Sequence, residues 1–209
     1  MMPTNIVFDF GAVLFTWRPE LLVQRVFPQQ AATAAAAREL SVAIFHHRDW
    51  QEFDRGTMQL ASVVESTARR LGLPHAAVQT LMSGIAEHLA PIPQTVALLE
   101  RLRQRRAAVD DIRLYFLSNM PEPYARVLEQ RHAFLGWFDG GLFSGDVRLV
   151  KPQPEIFQTL QTRYALEPRQ TVFIDDLLAN VEAARAHGWQ GIHFESAAQL
   201  EPHLQQHLS

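Results

Sequence analysis

The chain contains no cysteine. Disulfides, thiolate nucleophiles and cysteine-ligated zinc are therefore excluded, and a reducing, cytoplasmic setting is expected. Nor is there an excess of positive charge: 19 Lys and Arg stand against 22 Asp and Glu, a formal net charge of −3. Without a basic footprint, nucleic acid is not an expected partner. Long hydrophobic runs are missing as well. Asp9 cuts the first apolar stretch early, so neither a signal peptide nor a membrane-spanning helix is expected. Repeats are absent, and the alanine-rich run over 31–37 carries helix propensity rather than disorder. What is present is globular material: 209 residues with 47% hydrophobic content suit one domain, or one domain carrying an insertion.

The organising stretch is Ile6-Val7-Phe8-Asp9-Phe10-Gly11-Ala12-Val13-Leu14. A short unbroken apolar run ending in a carboxylate reads as a doubly buried parallel strand with Asp9 at its carboxyl end. Gly11 lets the chain turn sharply there. From Pro19 to about His88 the apolar residues recur at helical spacing, with a polar stretch over 46–57 and no convincing strand. After Pro91-Ile92-Pro93 the pattern alternates. Strands are expected over 112–117, 140–144, 171–174 and 192–194, with helices between them and a polar helix at the C-terminus. This predicts an α/β fold with a Rossmann-like parallel sheet flanked by helices. The all-helical stretch reads as an inserted cap. The expected division is a core of residues 1–16 and 90–209 and a cap of residues 17–89.

Polar residues gather where the strands stop. Asp9 ends the first, Ser118-Asn119 the second and Asp175-Asp176 a later one, while Lys151-Pro152 lies in a loop before a helix. Parallel strand ends share one sheet edge, so these residues are expected to converge in one crevice. Each has a plainer reading. Asp9 could open a turn, Ser118 or Asn119 could cap a helix, the Asp pair could serve a helix dipole, and Lys151 could be a solvated loop lysine. Together they suggest chemistry. Clustered carboxylates repel by about 4 kcal/mol per pair at 4 Å in a surface-like dielectric. A hard cation such as Mg²⁺ relieves that, and Lys and Ser suit phosphate oxygens. Asp9 could then attack phosphorus as a covalent nucleophile.

With those residues in view, the chain resembles the haloacid dehalogenase superfamily of hydrolases, in the branch with a helical cap. The motifs are Phe8-Asp9-Phe10-Gly11-Ala12-Val13-Leu14, Leu117-Ser118-Asn119, Lys151-Pro152, and Phe173-Ile174-Asp175-Asp176 with Asn180. It is similar within that superfamily to the glucose-1-phosphate phosphatase type and to the N-terminal phosphatase domain of soluble epoxide hydrolases. Those proteins carry a cap stretch like Phe53-Asp54-Arg55-Gly56-Thr57. The resemblance implies Asp9 as nucleophile and metal ligand. It implies Gly11 (through its carbonyl), Asp176 and Asp175 as further ligands of Mg²⁺. Ser118 and the Asn119 backbone would hold the phosphoryl group, Lys151 would neutralise it, and Asn180 would support the acidic loop.

One departure stands out. Phosphatases of the superfamily usually carry a second Asp two positions after the nucleophile, to protonate the leaving group; here that position is Gly11. An acidic leaving group such as an anomeric hydroxyl, or an acid from the cap, would compensate, and His46 and His47 are candidates by titration range. Trp17, Arg18, Trp50 and Phe53 are candidates for the cap side of the pocket, with packing as the alternative for the aromatics. The expected activity is Mg²⁺-dependent hydrolysis of a small phosphorylated metabolite, sugar phosphates included, by a monomer or weak homodimer without membrane attachment. A 2-haloacid dehalogenase and a non-catalytic phosphate binder are the alternatives.

Overall fold

The structure, a computed structural model, describes residues 4–109 and 111–208. Residues 1–3, 110 and 209, which the expected core includes, lie outside the described residues.

Five parallel strands form one sheet: β1 (Thr4–Phe8), β2 (Ile112–Ser118), β3 (Gly140–Phe143), β4 (Thr171–Asp175) and β5 (Gln190–His193), in the order β3-β2-β1-β4-β5. β1 lies at the centre, and its last three residues are apolar. Ile6 and Phe8 face one hydrophobic cluster and Val7 the other, and all three are fully buried. The first cluster takes helices α6 (Pro93–Val109), α7 (Glu122–Arg131) and α11 (Ala197–His207); the second takes α9 (Pro154–Tyr164) and α10 (Leu178–Ala186). Both faces are thus covered, as an all-parallel sheet requires. The chain winds outward from β1 in two directions, which makes the edge beside β1 the topological switch point where open α/β sheets bind ligands.

Between β1 and β2 lie α1 (Pro19–Val26), α2 (Ala34–Phe45), α3 (Arg48–Asp54), α4 (Leu60–Leu71) and α5 (His75–His88), with no strand among the described residues. Thr33 caps α2 by accepting from the Ala36 N–H, and Gly72 ends α4 in the left-handed conformation. The polar stretch over 46–57 is not a loop throughout. α3 forms there because His47 caps it, its Nδ1 accepting from the Asp49 N–H at 3.2 Å, and because Trp50 and Phe53, three apart, bury one face. The chain leaves the sheet region and returns to it through two adjacent segments. Thr16 N–H donates to Ala90 O and Ile92 N–H to Leu14 O, both at 2.8 Å.

A further short helix, α8 (Ser144–Val147), follows β3 directly. No described helix is long and apolar enough to cross a membrane.

Candidate active site

Asp9 directly follows β1, and its N–H donates to Ile174 O of β4 at 2.9 Å. Phe10 anchors the turn beyond it. Its ring is fully buried against Phe15, Phe116 and Phe143, and its carbonyl accepts from the N–H groups of Val13, Leu14 and Phe15. The turn passes through Ala12 at φ 55°, a left-handed conformation costing on the order of 1–3 kcal/mol in a non-glycine residue. The buried Phe10 ring and the three hydrogen bonds to its carbonyl hold the turn in this conformation.

Lys151 reaches the same point from the loop before α9. Its ammonium lies 2.8 Å from Asp9 Oδ1 and 2.6 Å from Asp175 Oδ2, and the residue is only 4% exposed. The solvated-lysine reading therefore fails: an amphipathic side chain is held in the interior by two carboxylates. Asn119 fixes the backbone that carries it. The Asn119 amide donates to Lys151 O at 3.0 Å, and its carbonyl oxygen accepts from Lys151 N–H at 2.8 Å. Asn119 is thus a clamp rather than a helix cap, and α7 has no side-chain cap at all. Ser118 ends β2 beside it, buried.

Asp175 closes β4 fully buried, with both oxygens engaged. Oδ1 accepts from Leu177 N–H at 2.8 Å, Asn180 Nδ2 donates to both oxygens at 3.0 Å, and Lys151 takes Oδ2. Asp176 is half-buried beside it, and its carbonyl pairs with His193 Nε2 at 2.9 Å. Asp9, Asp175 and Asp176 each offer an oxygen, all within 4.8 Å of one another.

The electrostatics follow from that crowding. Carboxylates at such a spacing repel by roughly 3–4 kcal/mol per pair at an effective dielectric near 20, and one lysine cannot balance three of them. The Asp9 carboxyl is pushed up to about 7, first by burial and then by Asp175 and Asp176, with Lys151 pulling against them. Asp176 is raised to about 6 by burial and by Asp175. Burial would lower Lys151, but Asp175 and Asp9 together outweigh it, and the amine is held above its ordinary value. The site thus keeps its lysine charged and is short of positive charge. An all-oxygen donor set without His or Cys in the cluster fits a hard divalent cation.

A family model of haloacid dehalogenase-like hydrolases matches residues 4–188. The chain belongs to that family. Among curated proteins, this hydrolase is 28% identical over 187 residues to the sesquiterpene phosphatase astK of Aspergillus oryzae, covering 90% of this chain and 87% of that one. Among solved structures it resembles the HAD family enzyme bt-2542 of Bacteroides thetaiotaomicron in complex with magnesium and inorganic phosphate. The TM-score is 0.70 at 18% identity, covering 95% of this chain and 98% of that one. The L-2-haloacid dehalogenase of Xanthobacter autotrophicus gives a TM-score of 0.65 at 18% identity, over 97% and 82% of the two chains. Those two likenesses concern the fold.

The structure of this haloacid dehalogenase-like hydrolase brings Asp9, Gly11, Ser118, Asn119, Lys151, Asp175 and Asp176 to one sheet edge. The helical segment supplies less than the sequence suggested. His46 is exposed, and the His47 Nδ1 is engaged at the α3 cap. Trp50 and Phe53 are buried in an aromatic row running from Trp17 through Phe45 to Tyr124, with neighbouring ring centroids 4.8–5.6 Å apart. Trp17 is half-buried, and Arg18 precedes α1 as a cap without a side-chain hydrogen bond.

Sequence reasoning missed Ser144 and Tyr124. Ser144 is fully buried; its Oγ accepts from Met120 N–H at 2.8 Å and donates to Asp54 O at 2.5 Å. Tyr124 OH donates to Met82 O at 2.6 Å. Each joins the helical segment to the loop after β2 or to α7. Their only local signal is a polar group at the edge of an apolar run.

Proposed function

We propose that this chain is a Mg²⁺-dependent phosphatase, releasing phosphate from a small monoester through an aspartyl-phosphate on Asp9. The observation that carries the reading is Lys151 held between Asp9 and Asp175 at the switch point, with Asp176 adjacent. Asp9, the Gly11 carbonyl and Asp176 are the groups placed to hold the cation. Asp175 joins them through the cluster, but its main work is aligning Lys151. When bound, the cation neutralises the carboxylates and the charge on the phosphoryl group. Asp9, as a carboxylate, is the nucleophile. Lys151 holds Asp9 in orientation and offers its remaining protons to phosphoryl oxygens, and Ser118 with the Asn119 N–H takes the others. Asn180 keeps Asp175 in place.

Residues 17–89 act as the cap over a core of residues 1–16 and 90–209, in a cytoplasmic enzyme. Of the aromatic row on the cap side, only Trp17 is open enough to meet a sugar ring or an apolar chain of the leaving group. The name of the Aspergillus relative makes isoprenoid monophosphates worth screening beside sugar phosphates. Against a dehalogenase stands Asp176, which adds a carboxylate where a haloacid would bring another.

The test is phosphate release from p-nitrophenyl phosphate and a metabolite panel, with Mg²⁺ and with chelator. Activity should require Mg²⁺, and Asp9→Asn should lose on the order of 10⁴-fold or more, as removal of a nucleophile does. Undiminished turnover in chelator or in Asp9→Asn overturns the reading.

A further inference from the structure

Gly11 leaves the nucleophile without its usual neighbouring acid, and the space beside it is open: a Cβ built at Gly11 meets no atom within 4 Å. The part of the helical segment that is fastened against the catalytic loops is the end of α3. The Asp54 carbonyl accepts the Ser144 Oγ hydrogen bond at 2.5 Å. Arg55 Nη1 donates to Gln153 Oε1 at 3.1 Å, two residues past Lys151. Gly56, at φ +76°, approaches Gly145 so closely that a Cβ would lie 2.5 Å from its carbonyl oxygen. These contacts set the Asp54 side chain among Lys151 and Tyr124, whose charge and hydroxyl it senses, with a hydrogen bond from the Trp50 side chain. The Lys151 charge acts on the Asp54 carboxyl.

We propose that Asp54 is the general acid that protonates the leaving oxygen when Asp9 attacks phosphorus. The inference rests on the aspartyl-phosphate reading above. In the step, an Asp9 oxygen forms a bond to phosphorus while the phosphorus–oxygen bond to the leaving group breaks. The Asp54 proton passes to that oxygen, giving a neutral alcohol and leaving Asp54 as a carboxylate. In the second step water attacks the phosphorus, Asp54 takes a proton from it, and Asp9 and inorganic phosphate are released. Asp54 thereby regains its proton, so no outside reagent is consumed.

Two observations support the assignment. Burial raises the Asp54 carboxyl well above the usual carboxylate range, and the Trp50 hydrogen bond and Lys151 charge pull it back only in part. The group is therefore suited to carry a proton in neutral solution, which an exposed Asp is not. The alternative donors are worse placed: His46 is exposed and His47 Nδ1 caps α3.

The test exploits leaving groups that differ in their need for a proton. First-turnover rates would be measured with Mg²⁺ for p-nitrophenyl phosphate, phenyl phosphate and the primary alkyl phosphate that the wild type cleaves fastest. Asp54→Asn should slow the alkyl ester about 10²–10⁴-fold, the usual worth of a positioned acid. The p-nitrophenol burst should change by no more than a factor of a few, which also shows that the variant is folded. Asp54→Glu should recover part of the alkyl rate, and Asp54→Ser should reproduce the Asn pattern. Equal slowing of all esters in both the Asn and Ser variants overturns the assignment, since it marks a structural role. So does an unchanged alkyl rate, or a wild type that cleaves aryl but no alkyl esters. Asp9→Asn runs in parallel: a retained burst there overturns the nucleophile reading and this inference with it. A silent Asp9→Asn beside uniform rates in Asp54→Asn removes Asp54 alone.

Discussion

The two sides of the site are built on different principles. The floor, at the ends of β1, β2 and β4, is fixed by backbone. Asp9 and Asp175 follow from strand register, and Lys151 is tied down by a double hydrogen bond to Asn119. The roof is the end of α3, held by side-chain contacts from Ser144 and Arg55 and by the close passage of Gly56 over Gly145. A floor made of neighbouring strand ends can hold charges against their mutual repulsion. The roof adds to those hydrogen bonds the packing of Trp50 and Phe53 on Tyr124, so it rests on side-chain contacts where the floor rests on backbone.

Lys151→Met should expose that contrast most strongly. It leaves Asp9 and Asp175 buried without their cation, which costs about 3–5 kcal/mol when one partner of a buried pair is removed. Urea denaturation in chelator reads the loss. A change below about 1 kcal/mol would mean that the carboxylates simply take up protons and the floor is softer than its geometry. Gly56→Ala tests the roof. A methyl group against the Gly145 carbonyl, in a left-handed conformation, should cost on the order of 1–3 kcal/mol. It should raise KM while leaving Mg²⁺ affinity unchanged; a fall in Mg²⁺ affinity would show that roof and floor are one unit.

The smallest expected effect is a slope rather than a loss. Asp9 and Asp176 are raised from 3.8 to about 7 and about 6. Between about pH 4 and about pH 7 these two carboxyls therefore hold protons that the unfolded chain has released. Stability in chelator should thus fall more steeply with pH in the wild type than in Asp9→Asn. The raised Asp54 acts in the same direction in both proteins, and the lowered His132, His187 and His207 in the opposite one. Lys151, raised above 10.5, adds nothing there because its contribution is lost only in stronger alkali. Mg²⁺ competes with the same protons, so its stabilising effect should grow with pH. Thermal midpoints from pH 5 to about pH 8, with and without the metal, check this. Equal slopes in the wild type and Asp9→Asn would mean the carboxylates are less crowded than their spacing implies.

The contrast also explains what the sequence could tell. A carboxylate after a β-branched apolar run is conspicuous, and two such strand ends, with Ser118-Asn119 closing a third, make the floor legible in the sequence. Lys151 was harder, because a loop lysine is usually solvated and nothing local marks it as buried. Asp54 was visible only as part of a stretch like that of related caps. It sits on a helix within a stretch whose local pattern is merely polar, and its meaning depends on residues 144 and 151, far away in the chain. Ser144 and Tyr124 carry only the faint signal of a polar group beside apolar residues. Their roles arise from tertiary contacts, which period and propensity do not encode.

The paired crossings at Leu14–Thr16 and Ala90–Ile92 have one more consequence. The chain passes between sheet and helical segment only there, and the two passages are bonded side by side. Two connecting segments joined in this way behave as a door hinge rather than a ball joint. Any displacement of the α1–α5 segment relative to the sheet would therefore be a swing about that one line.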